Sequence, residues 1–203
     1  MQQDNPLVVC CLWLSRLAWL NLCWWLMTLA GLVVSGVVPA SVVTLQMMRR
    51  YLQGKQRVYF SECFVEWKNE WRRSNATLLP LLMIALALFQ LFTQVSEIQN
   101  SGWLIVLGLS ALPLALVISL LAMAVLLELS VWSCSVKQGW INGILLLQHH
   151  FALVILTAFS AGVMGGLCLL KPICGVFFLF SPVALISMLG MMKIRPQLFE
   201  EHK

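Results

Sequence analysis

Glu128 and Arg16 stand at the edges of long apolar stretches, where a charged side chain either pairs or passes protons. In the topology derived below both lie near the same membrane face, so they form a candidate ion pair, with Glu128 to Arg49 or Arg50 as the alternative partners. A proton relay is the weaker reading, because Glu128 falls within about one helical turn of water. Asn21, Thr28 and Ser35 recur every seven residues and, with Gln46 further on, form a candidate polar stripe. Polar groups in lipid need partners, so the stripe faces other helices and either holds them by hydrogen bonds or lines a solute path. His149 and His150 are adjacent, which sets them about 100° apart on a helix; a cap at the membrane interface suits them better than a shared metal.

No catalytic signature accompanies these residues. GxSxG, HExxH, phosphate-loop and CxxC patterns are absent, as is a paired carboxylate within the apolar runs. Cys10, Cys11, Cys23, Cys63, Cys134, Cys168 and Cys174 read as small buried hydrophobes. The expectation is therefore a non-enzymatic protein with no cofactor and no metal. Asn75-Ala76-Thr77 matches a glycosylation sequon, but on a face where that signal carries no meaning.

The elements that must position these residues are membrane spans. Residues 17–48, 74–96, 98–127, 138–170 and 172–192 contain no Asp, Glu, Lys or Arg, and each run exceeds the roughly 20 residues that cross a bilayer core. The chain is 61% hydrophobic and 10% charged, against about 25% charged for a soluble globule. Such a composition excludes nucleic-acid enzymes, secreted disulfide scaffolds and disordered regulators. The fold class expected is all-α: a polytopic transmembrane helical bundle forming a single membrane domain over residues 1–203. The net charge of +5 is read as a topology signal, with no nucleic-acid partner. Arg49, Arg50, Lys55, Arg57, Lys68, Arg72 and Arg73 fill one connection, and Lys193, Arg195 and Lys203 mark the end of the sequence; the positive-inside rule places both in the cytoplasm. No cleavable leader is evident, so both termini are expected inside a bacterial cell membrane.

The run 17–48 is too long for one untilted crossing, and Gly36 with Pro39 offers the break. Six spans follow: 17–35, a short returning helix 39–52, 75–95, 103–127, 151–170 and 174–192, preceded by an interfacial helix at 5–15. Five spans, with residues 7–31 crossing once, would place Arg16 deep in lipid at a cost of at least ~2.5 kcal/mol. Phe60, Cys63, Phe64, Trp67 and Trp71 recur at helical spacing with charges on the other faces, predicting a cytoplasmic amphipathic helix over 60–73 that lies at the interface. Phe60, Phe64, Trp67, Trp71, Arg72 and Arg73 on it form a candidate surface for membrane lipid or a cytosolic partner. A second interfacial stretch occupies 128–150. Ala158, Gly162 and Gly166, four apart, form a candidate packing face, for a neighbouring helix or for a homodimer.

The first seventy residues or so of this pattern resemble the YesL-like bacterial membrane proteins, a domain of unknown function. The likeness rests on Arg16 to Trp25 with its Asn21, on Gly36-Val37-Val38-Pro39-Ala40, on Arg49-Arg50 with Gly54, and on Phe60 and Phe64 leading to Glu66-Trp67-Lys68. Members of that family separate Gly and Pro less than this chain does. The resemblance implies an accessory or scaffold role in carbohydrate uptake, beside the permease of a sugar ABC transporter. It assigns no site residue. The alternative from another class is a small-solute transporter or channel lined by the polar residues of the first two helices.

Overall fold

The computed structural model of the chain describes residues 6–96 and 101–199. They form helices joined by short connections: α1 (Pro6–Ala30), α2 (Val34–Leu52), α3 (Phe60–Ser96), α4 (Ser101–Val131), α5 (Val136–His149), α6 (Phe151–Leu170), α7 (Pro172–Phe178) and α8 (Ser181–Ile194), closed by a 3-10 turn at Pro196–Phe199. Lipid offers no hydrogen bonds to a backbone, so apolar runs of this length satisfy themselves as helices. Helices Pro6–Ala30, Phe60–Leu91, Pro113–Val131, Phe151–Leu170 and Gly175–Ile194 are long and apolar enough to cross a membrane. The molecule is a helical bundle of a membrane protein.

Helix α2 lies at its centre, touching α1, α3, α4 and α8. Pro39, Ala40, Ser41, Val42, Val43, Thr44, Leu45, Met47 and Met48 are all buried on it. A helix wrapped by protein need not be apolar all round. That explains why α2, with Ser41, Thr44, Gln46, Arg49 and Arg50, falls outside the set with the composition of a span, and six crossings are not established.

The hairpin between α1 and α2 turns five residues before the place expected from Gly36 and Pro39. Helix α1 stops at Ala30, and Leu32 and Val33 carry positive φ of 55° and 64°. Val34 N–H donates to the Leu32 carbonyl at 2.8 Å around Val33, the strained form of a three-residue turn. Pro39 instead stays inside α2. Gly31 and Gly36 make the tight return: a Cβ on Gly36 would come within 2.3 Å of the Thr28 carbonyl oxygen, and one on Gly31 within 2.4 Å of Gly36 Cα. The interfacial helix expected at 5–15 is likewise continuous with the first span in α1.

The second difference concerns α3. The amphipathic helix 60–73 and the span 75–95 are one helix of 37 residues, about 55 Å long at 1.5 Å per residue. Residues 60–73 are therefore continuous with the span rather than a separate helix. The reason is that their inner face is used inside the protein: Cys63 is fully buried, and Trp67, 8% exposed, rests on Gly31. Of the stretch 128–150, α4 takes the first part and α5 the rest, its Gly139 and Gly143 packed on Leu129 and Val125.

Among the described residues, the two glycines of the small-residue face on α6 pack against nothing. A Cβ on Gly162 or Gly166 would meet nothing within 4 Å, and of the three only Ala158 is packed on the core. The close approach on α6 is made elsewhere, by Gly190 of α8 against Leu153.

Candidate functional site

The polar side chains of the bundle converge on places where helical hydrogen bonding is interrupted. The first is Pro39. Lacking an N–H, it leaves the carbonyl four residues back, that of Ser35, without its helical donor. Trp71 Nε1 and Asn75 Nδ2 on α3 both donate to that oxygen, each at 2.9 Å. The proline stays in α2 because α3 replaces the bond it removed.

The second is the break between α7 and α8 at residues 179–180. Asn21, fully buried on α1, reaches across it. Its Nδ2 donates to the carbonyls of Gly175 at 3.1 Å and Val176 at 2.7 Å, and its Oδ1 accepts from the Phe180 N–H at 2.9 Å. Trp25 Nε1 adds a bond to the Gly175 carbonyl, and Trp24 stacks on Phe180. An amide side chain, donor and acceptor at once, is the group that can pair with both sides of a broken helix.

The third is the C-terminal end of α4, where carbonyls lack intrahelical donors and the helix dipole is negative. Arg73 of α3 donates to the carbonyls of Leu129 at 2.9 Å, Trp132 at 2.8 Å and Cys134 at 3.3 Å, and Arg49 of α2 donates to that of Val131 at 3.1 Å. One turn inside, Glu128 is 1% exposed and accepts from Arg195 Nη1 at 2.8 Å. Arg49, Arg73 and Arg195 thus form a collar from three separate parts of the chain around one helix end.

Beside the collar, the acidic face of α3 meets the end of α2. Glu66 pairs with Arg50 at 2.7 Å, Glu62 with Lys55, and Glu70 with Arg73 at 2.6 Å while accepting from Gln46 at 3.4 Å. Glu62, Glu66 and Glu70 are four apart, so one stripe of α3 faces these bases. The connection between α2 and α3 begins at Gly54, whose φ of 100° closes α2 with the Lys55 N–H on the Arg50 carbonyl.

The residues expected to act together are thereby redistributed. Glu128 does not meet Arg16; it takes Arg195, while the Arg16 guanidinium lies 5.1 Å from the rings of both Trp13 and Tyr51. The polar stripe divides because α1 ends before Ser35: Asn21 holds the α7–α8 break, Thr28 accepts the turn N–H of Val33 on its carbonyl, Ser35 bonds Gly31, and Gln46 bonds Glu70. On α3, Phe64 and Trp71 are exposed along with Arg72, whereas Trp67 is buried and Arg73 turns inward to the collar. Phe60 is half-buried and stacks toward Phe64. Sequence spacing missed Asn75, whose role depends on a carbonyl that no side-chain pattern displays, and Arg195, which meets Glu128 only across 67 residues of chain.

Residues 17–90, from α1 through most of α3, match the family described as Protein of unknown function, DUF624. Two Bacillus subtilis (strain 168) proteins are similar over 80 residues: Uncharacterized protein YesL, at 41% identity, and Uncharacterized protein YteU, at 36%. Each match covers 39% of this chain, and 37% and 36% of the respective relative. No solved structure matches the chain. The matched stretch holds Asn21, Arg49, Arg73 and Asn75, while the carbonyls that Asn21, Arg49 and Arg73 reach lie outside it. Residues 17–90 are therefore similar to the DUF624 family, and the likeness of the chain to the YesL-like membrane proteins is carried by the hairpin α1–α2 and by α3.

Proposed function

We propose that the chain is a non-enzymatic accessory protein of a bacterial cell membrane, docking through the outer face of α3 on the permease of a carbohydrate ABC transporter, with the arginine-rich end of the bundle in the cytoplasm. The observation that carries the docking surface is the division of α3 into two faces. Its acids, Glu62, Glu66 and Glu70, are paired with Lys55 of the α2–α3 connection, with Arg50 of α2 and with Arg73. Phe64, Val65, Lys68, Trp71 and Arg72 remain outward, apolar and cationic together. Aromatic residues with Arg suit the centre of a protein interface. The carbohydrate permease as partner rests on what the YesL-like resemblance implies. The same geometry favours this reading over a solute path, because Asn21, Thr28, Ser35 and Gln46 have separate neighbours rather than a common lumen.

Val65→Glu combined with Arg72→Glu leaves the Phe64–Trp67 stack and the collar intact. Co-expressed with a carbohydrate permease and purified in mild detergent, this variant is expected to lose the permease while keeping its melting temperature. Equal permease recovery with the unaltered chain would contradict docking through α3.

A further inference from the structure

Where α1 passes the end of α2, a cavity of about 340 Å³ is lined by Leu12, Arg16, Trp19, Tyr51, Arg57 and Tyr59, among others. Trp19 Nε1 bonds the Val58 carbonyl at 2.9 Å, tying the wall formed by residues 56–59 to α1. Arg16 is half-buried, its guanidinium held between the rings of Trp13 and Tyr51. Arg57 is exposed at the rim. Among the described residues neither makes an ion pair and no acid is left to them: Glu62, Glu66, Glu70 and Glu128 are paired with Arg50, Lys55, Arg73 and Arg195. A guanidinium partly withdrawn from water calls for an anion. Two guanidinium groups around one cavity, with Tyr59 beside them, supply the charge and the forked donors that a phosphate takes. The cavity also adjoins a second groove, about 320 Å³, lined by Leu7, Val8, Cys11 and Leu12 of α1, and Leu12 belongs to both. A charged pocket that continues into an apolar groove on a membrane-spanning helix has the shape of an anionic amphiphile.

We infer that this pocket binds the phosphate headgroup of an anionic phospholipid, Arg16 and Arg57 clasping the phosphate while an acyl chain lies along Leu7, Val8 and Leu12. Free inorganic phosphate shares the headgroup chemistry but has nothing to place in the groove. The site is distinct from the docking face of α3 and does not depend on it.

The test is the thermal stability of the full chain, delipidated in detergent, on titration with dioleoyl phosphatidylglycerol, with dioleoyl phosphatidylcholine and with inorganic phosphate. Phosphatidylglycerol is expected to raise the melting temperature saturably and the other two are not. Arg57→Gln and Arg16→Gln should each weaken the apparent phosphatidylglycerol affinity by about five- to tenfold. Arg72→Gln, which removes the same charge outside the pocket, should leave it unchanged. Arg57 makes no bond that holds the fold, so its variant keeps the test valid if Arg16→Gln proves unstable. An equal response to phosphatidylcholine, an equal response to inorganic phosphate, or an unchanged affinity in Arg57→Gln would each overturn the assignment.

Discussion

The carbonyl of Ser35 illustrates how single residues decide this structure. Freed by Pro39, it would stand half-buried between α2 and α3 without a donor, at a cost of about 1 kcal/mol. Two donors from α3 reach it, so neither alone is essential. Trp71→Phe, which keeps the ring, and Asn75→Leu should each cost no more than about 1 kcal/mol, whereas the double variant should lose more than the sum of the two. Chemical or thermal unfolding of the four forms in detergent checks this; strict additivity would refute the shared role. The Glu128–Arg195 pair is asymmetric in a different way, with Glu128 1% and Arg195 30% exposed. Removing Arg195 leaves a carboxylate that water cannot reach, while removing Glu128 leaves a guanidinium that still touches solvent. Arg195→Ala is therefore expected to lower the melting temperature more than Glu128→Gln, and adding Glu128→Gln to Arg195→Ala should restore part of the loss.

At the scale of elements, the hairpin α1–α2 shows which signals sequence carries. An apolar run too long for one crossing announces that a turn exists, and the basic pair Arg49-Arg50 announces its far end. The place of the turn was not legible, because local rules assign it to Gly36 and Pro39, whereas Trp71 and Asn75 lift the penalty on Pro39 from outside the segment. Nothing in a run of Leu32, Val33 and Val34 suggests a tight turn, since β-branched residues disfavour positive φ. That strain gives its own prediction: Val33→Gly should stabilise the protein by about 1 kcal/mol, read as a higher melting temperature, and a destabilised variant would show that the turn is not strained as described. The aromatic stripe of α3 was visible as a periodicity, and its residues are where two helices and a surface meet. Its orientation was not, because Trp67 facing Gly31 and Arg73 facing α4 depend on partners more than thirty residues away.

For the whole molecule, the polar groups within the bundle form a consistent set. Asn21, Trp71, Asn75, Arg49 and Arg73 each pair with backbone that a proline, a break or a helix end has exposed. Through Asn21, Arg49 and Arg73, the stretch similar to DUF624 grips α4, α7 and the start of α8, which lie beyond it. These polar groups thereby serve architecture, and the proposed partner surfaces, the outer face of α3 and the pocket at Arg16, lie apart from most of them. Asn21→Leu tests this most directly, since leucine fills the same space but pairs with neither side of the α7–α8 break. With about 1–3 kcal/mol at stake for each orphaned group and about 2–4 °C per kcal/mol for a chain of this size, its melting temperature in detergent should fall by about 5–10 °C. A melting temperature equal to that of the unaltered chain would contradict the account.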